Sequence, residues 1–376
     1  MKTETVKGFN DYSGAEAEKR EVIRQILVNV FEKYGFEPAE TPIVEYEDFV
    51  KGDNEKDEAV SDIFKLEDKG GRKLALRYEL TFPLKRLMVN KKLPYKRYQI
   101  GPSFRDEPVS ANRFRQFVQC DVDTIGATIK DEAEIVALTK NLLNLLGIKS
   151  VVYYNNRKLL NEILDKEGIK NKADVMRELD KLDKLPEKDV RENLKKCGAD
   201  KVLSLFKRPE KYFERYDSYK QVQELQKYLR CFGAKAVFLP TLARGLSYYN
   251  GTVFEVKTEG MKETITAGGS YMFNGVQSTG ISFGLDRLSM LAKLRTQKEK
   301  FLIISLDKDR ESIALAEKLR KRGKIVSIFY GKPSKALDFA NSYGYTKVVF
   351  VGKKETKVKR FRVKIMKTGN EELLKI

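Results

Sequence analysis

Arginine, acidic and aromatic residues are brought together where an apolar strand ends in a loop and a second strand returns. The outgoing strand runs from Tyr98 into Arg105 and Glu107, and the returning strand runs from Arg113 to Asp123. Side chains alternate along a strand, so Arg105 and Glu107 lie on the same face. Arginine is always charged and grips oxygen atoms in pairs, so this pattern favours the binding of an anionic group.

Two further segments place an arginine beside a glycine-bounded turn. In residues 244–255, Arg244 precedes a tyrosine pair that two glycines bracket ahead of a strand. In 280–288, a strand ends at Gly284 and opens a helix that carries Arg287. Taken singly, each segment also fits a solvated ion pair or a packed turn, so only the set is informative.

Histidine is absent from the chain, which narrows the possible chemistry. Imidazole acid/base catalysis, Ser-His and Cys-His nucleophile pairs and imidazole metal sites are excluded. Cys120, Cys197 and Cys231 are far apart and form no Cys-x-x-Cys pair, so neither a zinc site nor a disulfide framework is predicted. Chemistry must therefore use Arg, Lys, Glu, Asp, Tyr and backbone groups.

The length and charge of the chain indicate a multidomain protein with a polyanionic partner. With 376 residues, about two to three domains are expected. The net charge of +19 favours nucleic acid as the partner, with a lysine-rich proteome as the alternative. No apolar run is long enough to span a membrane and the first residues have no signal core, so we expect a cytoplasmic protein.

Periodicity predicts an antiparallel sheet flanked by helices in the first part of the chain. Ser13 and Glu16 suggest a capping box for a helix that Gly35 ends. Asp131 and Glu134 are expected to cap a second helix, which ends at Gly147. The predicted strands are 62–66, 74–78, 95–104, 114–125, 236–239 and 252–257, with a helix from 285 to about 294.

The rest of the chain divides by composition. Residues from about 157 to 232 are rich in Leu, Lys and Glu at helical spacing and predict a helical insertion. From 299, strands at 301–306, 325–330 and 347–351 alternate with helices at 311–322 and 335–343, which predicts a small α/β domain with parallel strands. Residues 299–376 hold 20 Lys and Arg against nine Asp and Glu, so they carry +11 of the net charge.

Together and in this order, the segments resemble class II aminoacyl-tRNA synthetases, and specifically the histidyl-tRNA synthetase family. Residues 104–107 with the returning strand resemble motif 2, residues 284–287 resemble motif 3, and the helix ending at Gly35 with the Glu40-Thr41-Pro42 strand resembles the dimer-forming motif 1. The histidine-specific signatures are residues 76–81 and, above all, Arg244-Gly245-Leu246-Ser247-Tyr248-Tyr249. Residues 267–269 and 7–11 are also similar to the family.

The resemblance covers essentially the whole chain and implies its architecture and reaction. It implies an α+β catalytic domain at 1–150 and 233–298, a helical insertion at 151–232 and an α/β anticodon-binding domain at 299–376. It implies a homodimer that activates L-histidine with ATP to histidyl-adenylate and pyrophosphate, with Mg²⁺ bridging the outer phosphates, and then transfers histidine to the 3′ end of tRNA(His). No protein ligands for the metal are predicted.

The resemblance also implies roles for residues at the ATP end. Arg105 would hold the α-phosphate and the amino acid carboxylate, and Arg244 would act on the same phosphate from the other side. Arg113 and Arg287 would bind the β- and γ-phosphates. Glu107 would reach the adenine amino group, and Phe117 would stack on the adenine ring.

Histidine recognition can be argued from hydrogen-bonding chemistry. The ammonium group needs acceptors, which Glu79, Thr81 and Gln119 can supply. A neutral imidazole has one donor and one acceptor nitrogen, which Asp123 and the Tyr249 hydroxyl can satisfy, with Tyr248 nearby. Such a site rejects analogues that lack the matching atoms.

Several departures and alternatives stay open at the level of sequence. Ser270 and Met272 stand where the family usually has Arg and Asp, which leaves the pocket wall there undetermined. One alternative is the synthetase-like regulatory subunit of ATP phosphoribosyltransferase, which lacks the anticodon domain. Others are a class II synthetase for proline, threonine or glycine, and a tRNA-binding module without activity.

Overall fold

A computed structural model describes residues 2–52, 58–183, 185–243, 248–259, 261–294, 298–358 and 360–374. Contacts divide the chain into two compact units, Met1–Leu294 and Arg295–Ile376. None of the helices in the described ranges is both long and apolar enough to cross a membrane.

The described strands β1 to β16 are, in chain order, Glu37–Pro38, Val44–Tyr46, Lys65–Glu67, Lys73–Leu76, Tyr95–Phe104, Gln116–Ile125, Val151–Asn156, Val237–Phe238, Tyr249–Thr258, Met261–Phe273, Val276–Gly284, Lys300–Ser305, Ile325–Phe329, Lys347–Val351, Arg362–Ile365 and Glu371–Leu373.

The described helices α1 to α14 are, in chain order, Gly14–Lys33, Glu47–Lys51, Glu58–Ser61, Leu84–Leu87, Ile129–Leu145, Arg157–Lys166, Lys172–Asp180, Glu187–Lys196, Val202–Phe206, Tyr219–Cys231, Leu285–Leu291, Asp309–Arg320, Pro333–Ser342 and Lys353–Val358. Short 3₁₀ helices lie at Lys181–Asp183 and Glu210–Arg215.

The first unit is built on a large sheet with the strand order β1-β5-β6-β11-β10-β9-β7-β8. All neighbouring pairs between β5 and β7 are antiparallel, while the short edge strands β1 and β8 pair in parallel. Strands β2, β4 and β3 form a small antiparallel sheet beside it. The predicted α+β architecture is therefore confirmed.

Alternation along β6 separates a core face from a cavity face. Cys120 and Val122 are fully buried in a cluster with Ile23 and Phe31 of α1 and with residues of α5. The intervening residues 119, 121 and 123 lie on the opposite face, because successive side chains of a strand point to opposite sides. The helices thus support one side of the sheet and leave the other available for a site.

The helical insertion begins later than the predicted boundary at 151. Residues Val151–Asn156 form β7, which pairs with β9 in the large sheet and so belongs to its framework. Helices start at Arg157, whose turn is capped by the Asn156 side chain, and continue to Cys231. Their apolar faces join the same core as α1 and α5.

Both predicted helix caps are wrong in detail. Ser13 is the N-cap residue of α1, but no side-chain capping hydrogen bond is formed in the described structure, and Glu16 accepts from Ser289 Oγ at 2.7 Å instead. The second helix begins earlier than predicted, with Thr128 as N-cap and Asp131 completing a capping box. In the first case, Glu16 bonds to a distant residue, Ser289, and does not complete the local cap.

The second unit has the strand order β13-β12-β14-β15-β16. As predicted, β12, β13 and β14 are parallel. Helix α12 packs on one face of these strands and α13 on the other, through separate apolar clusters. Strands β15 and β16, which are not among the predicted elements, extend the sheet in antiparallel fashion.

Candidate active site

A cavity of about 340 Å³ lies on the face of the large sheet that the core helices leave open. Strands β6, β9, β10 and β11, the connection between β5 and β6 and the start of α11 contribute to its lining. Every predicted site residue within the described ranges lines it: Glu79, Thr81, Arg105, Glu107, Arg113, Phe117, Gln119, Asp123, Tyr248, Tyr249 and Arg287. Arg244 lies outside the described residues.

One end of the cavity is cationic and is formed by the β5–β6 connection. Glu107 lies between two guanidinium groups, 3.2 Å from Arg113 Nη1 and 3.8 Å from Arg105 Nη1. Arg105 donates from Nε to the Tyr78 carbonyl at 3.1 Å, and its guanidinium lies 5.2 Å from the centre of the Phe117 ring. The two arginines are partly exposed, so they can exchange their mutual carboxylate for the oxygen atoms of an anion.

Arg287 adds a third guanidinium from the first turn of α11. Its Nη1 donates to the Thr264 carbonyl of β10 at 2.7 Å, which ties the helix start to the neighbouring strand. The adjacent Asp286 accepts hydrogen bonds from Tyr12, from Arg20 at 2.8 Å and from the backbone N–H of Val118. Asp286 thereby locks α11 against α1 and β6, and this holds Arg287 at the rim of the cavity.

The other end of the cavity is acidic and buried. Asp123 is 4% exposed, pairs with the fully buried Arg97 at 2.8 Å and accepts a hydrogen bond from the Tyr271 hydroxyl. Burial raises the pKa of Asp123, and Arg97 opposes that rise. Gly280 lies opposite Asp123, where an added Cβ would come within 2.1 Å of the carboxylate. The missing side chain at 280 is what gives Asp123 its room.

Aromatic side chains form the wall between the two ends. The Tyr248 and Tyr249 rings lie 4.6 Å apart, and the Tyr248 and Tyr271 rings 5.7 Å apart. Burial raises the pKa of Tyr248, so its hydroxyl stays neutral. Glu79 lies nearby and accepts from the Phe82 N–H at 2.7 Å. This wall combines flat apolar surface with neutral hydroxyl groups and a carboxyl.

Several lining residues were given no role by the sequence patterns, among them Asp121, Tyr271 and Ser282. Asp121 was detectable, because 119, 121 and 123 share one face of a strand. Tyr271 and Ser282 become neighbours of β6 residues only through the pairing of β6 with β11 and of β11 with β10. That pairing leaves no local signal in the sequence.

The polarity of the cavity fits a zwitterion lying beside a polyanion. The acidic end can take a cationic group and a polar ring, while the arginine end can take a carboxylate together with phosphates. Such an arrangement brings a carboxylate oxygen next to a phosphorus atom and stabilises the negative charge that develops when they react.

Comparison with known proteins identifies the family. The family model described as histidyl-tRNA synthetase matches residues 8–288. The chain belongs to the histidyl-tRNA synthetase family. A histidine–tRNA ligase 1 of Bacillus cereus is 34% identical across 99% of this chain and 97% of its own length. A histidine–tRNA ligase of Wolinella succinogenes is 32% identical across 98% of this chain and 95% of its own length.

Solved structures support the same fold. The crystal structure of a histidyl-tRNA synthetase from Nostoc sp. PCC 7120 aligns over all of this chain and 97% of its own, with a TM-score of 0.88 at 23% identity. A Bacillus halodurans structure titled as an ATP phosphoribosyltransferase regulatory subunit/histidyl-tRNA synthetase aligns over 93% of this chain and 98% of its own, with a TM-score of 0.77 at 23% identity.

Proposed function

We propose that this chain is a histidine–tRNA ligase. It activates L-histidine with ATP to histidyl-adenylate and pyrophosphate, and then transfers histidine to the 3′ end of tRNA(His). The observation that carries the proposal is the single cavity whose arginine end and buried acidic end lie on the same β5–β6 hairpin. Family membership supplies the identity of the two substrates.

In the first step, a carboxylate oxygen of histidine attacks the α-phosphorus of ATP. A P–O bond forms, and the bond to the β-phosphate oxygen breaks as pyrophosphate leaves. Arg105 holds the α-phosphate and the carboxylate in line, and its hydrogen bond to the Tyr78 carbonyl fixes its direction. Arg244 acts on the same phosphate from the other side. The free energy of the transition state falls because both guanidiniums match the developing charge.

The remaining groups at this end orient ATP. Arg113 and Arg287 bind the β- and γ-phosphates, Glu107 accepts from the adenine amino group, and Phe117 stacks on the ring. The contact between Glu107 and Arg113 in the structure is replaced when ATP enters. Mg²⁺ arrives with the phosphates of ATP. No group of three or more acidic or sulfur ligands suited to a metal occurs among the described residues.

At the acidic end, the site reads both ends of histidine. Glu79, Thr81 and Gln119 accept from the ammonium group. Asp123 accepts from one imidazole nitrogen and the Tyr249 hydroxyl serves the other, with Tyr248 packed against Tyr249. The Tyr271 hydroxyl directs the Asp123 carboxylate toward its ligand. A buried site of this kind leaves polar groups unpaired when an analogue lacks the matching atoms, so it discriminates strongly.

In the second step, a ribose hydroxyl of the terminal nucleotide of the tRNA attacks the acyl carbon of the adenylate, and AMP leaves. We assign residues 299–376 to anticodon binding, because they carry +11 of the net charge. Residues 106–112 meet the acceptor end. The helical insertion completes the catalytic part of the chain. The enzyme works as a homodimer in the cytoplasm.

The decisive test is ATP–pyrophosphate exchange measured with each of the twenty amino acids. We expect exchange with histidine alone, and its loss in Arg105→Ala and in Arg244→Ala. The substitution Arg191→Ala, on the exposed surface of α8, is the control that keeps full activity. A folded protein that exchanges with no amino acid would contradict the proposal and favour a synthetase-like regulatory subunit.

A further inference from the structure

Three polar side chains on the cavity face form a directed chain of hydrogen bonds. Gln119 Nε2 donates to Ser282 Oγ at 2.9 Å, and Ser282 Oγ donates to Asp121 Oδ1 at 2.5 Å. Asp121 lies opposite Ser282 in the pairing of β6 with β11, so strand register creates the contact. Asp121 is 3% exposed and Gln119 8%.

The direction of this chain follows from the chemistry of its terminal group. An ionised carboxylate only accepts hydrogen bonds, and a hydroxyl has a single proton. Ser282 therefore gives its proton to Asp121, and its oxygen accepts from the amide nitrogen of Gln119. The amide oxygen Oε1 is then left pointing away from Ser282. It is buried and has no hydrogen-bond partner among the described residues, and Gln119 lines the cavity.

We propose that Asp121 is a positioning residue that acts through Ser282 to hold the Gln119 amide with Oε1 toward the substrate ammonium group. This inference rests on the proposed function, because it names how that site recognises the amino acid. An ammonium group has three donors and no acceptor. A reversed amide would therefore present N–H groups to it and would weaken its binding.

The charged groups around Asp121 explain why the device depends on pH. Charged and polar side chains from several elements act on Asp121 or lie beside it. They are Arg97 and Gln99 on β5, Asp123 on β6, Ser282 on β11, and Arg77 and Glu79 on the segment that precedes β5. Burial, reinforced by Asp123 and opposed by Arg97, raises the pKa of Asp121 to about 7. Once protonated, the carboxyl can donate to Ser282, and the chain can reverse.

The experiment compares two ligands by isothermal titration calorimetry at pH 8. L-Histidine carries the ammonium group, and 3-(imidazol-4-yl)propanoate is the same molecule without it. In Asp121→Asn and Ser282→Ala we expect histidine to bind about 10-fold or more weakly, the cost of a charge-assisted hydrogen bond. Binding of the propanoate should change by less than about 2-fold.

Two further comparisons separate positioning from direct contact. If Asp121 acts through Ser282, the double variant binds histidine no more weakly than either single variant. Between pH 8 and pH 6 the wild type should lose preference for histidine over the propanoate relative to Asp121→Asn. The two ligands titrate at different pH values, because the ammonium group lowers the pKa of the histidine ring. Each ligand titrates identically with both proteins, so this effect cancels when the variant is compared with the wild type.

Three results would overturn the inference. Equal losses for both ligands would indicate a general role in packing or in the ring pocket. A Ser282→Ala variant that binds histidine like the wild type would indicate direct contact between Asp121 and the ammonium group. A preference that varies with pH in the wild type just as it does in Asp121→Asn would exclude the reversal. Asp217→Asn, on an exposed side chain, is the control, and Ser282→Ala carries the test if Asp121→Asn fails to fold.

Failure of the proposed function has a different signature. A folded wild-type protein that binds neither ligand would contradict histidine activation itself. Binding of histidine with no effect of either substitution would contradict only the role of Asp121.

Discussion

At the scale of single residues, the cavity presents guanidinium groups that neighbouring groups have already oriented. The planar fork of arginine makes two parallel hydrogen bonds to an anion, whereas lysine offers a mobile point charge. Arg105 is held by the Tyr78 carbonyl and lies beside the Phe117 ring, so its fork has a defined direction. A lysine at position 105 would keep the positive charge but not this orientation, so we expect it not to substitute for Arg105.

Arg105→Lys tests this argument. We expect kcat/KM for histidine-dependent ATP–pyrophosphate exchange to fall at least about 100-fold, the effect of losing one oriented donor to a transition state. Arg191→Lys, on an exposed helix, is the matched control and should stay within about 2-fold. Near-normal activity of the Arg105→Lys variant would mean that Arg105 supplies only charge.

Asp121 gives a second prediction at this scale, in the pH dependence of stability. Its pKa of about 7 in the folded protein lies above the roughly 3.9 of an unfolded chain. The protonated Asp121 carboxyl therefore makes its full contribution to the free energy of unfolding below about pH 4. This contribution is lost as the pH rises to about 7 and the carboxyl ionises. Asp121→Asn removes that loss, so relative to the wild type it should gain stability across this interval.

Urea unfolding of both proteins at pH 5 and pH 8 measures the effect. The difference in midpoint between variant and wild type should move in favour of the variant at pH 8. Parallel shifts of the two proteins would show that Asp121 is not the titrating group.

At the scale of elements, two neighbouring residues of β10 face opposite sides of the sheet, one toward the cavity and one toward the core helices. Tyr271 faces the cavity and bonds to Asp123, while Ser270 is fully buried on the other face and donates to Glu132 of α5. The sequence left open what Ser270 does to the pocket wall. The answer is that Tyr271 forms the wall, because alternation turns residue 270 toward the core helices.

This arrangement predicts that only one of two conservative substitutions in β10 weakens histidine binding. Ser270→Ala removes a donor from a buried carboxyl, so the free energy of unfolding should fall by about 1–3 kcal/mol while KM for histidine stays within about 2-fold. Tyr271→Phe should raise KM for histidine about 10-fold. Thermal unfolding and exchange kinetics on the same preparations check both, and a KM effect in Ser270→Ala would contradict the assignment of faces.

At the scale of the whole molecule, charge is distributed unevenly along the chain. The last 78 residues, 299–376, carry +11 of the net +19. Binding of a nucleic acid through such a surface releases counterions and weakens as salt rises. The histidine activation proposed for the partly buried cavity of the first unit should respond much less.

We therefore expect the two half-reactions to differ in salt dependence. Between 50 and 200 mM KCl, KM for tRNA in aminoacylation should rise at least about 10-fold, while histidine-dependent exchange should change less than about 3-fold. Both are measured on the full chain. A weak salt dependence of the tRNA KM would contradict an electrostatic role for the basic C-terminal residues.

Local patterns in the sequence were sufficient to predict many of the strands and helices. Alternation located β5 at Tyr95–Phe104 and β14 at Lys347–Val351 with their observed bounds. Family resemblance and hydrogen-bonding chemistry named some of the lining residues that strands and turns then brought together. These signals are readable because propensity and alternation act between residues a few positions apart.

Tertiary structure alone decided which distant residues became partners. Ser282 bonds to Asp121 across 161 positions of sequence, and Tyr271 to Asp123 across 148. Glu16 accepts a hydrogen bond from Ser289 and does not cap its own helix. The register of β6, β11 and β10 is set by burial of one face of the whole sheet, which no short window of sequence contains.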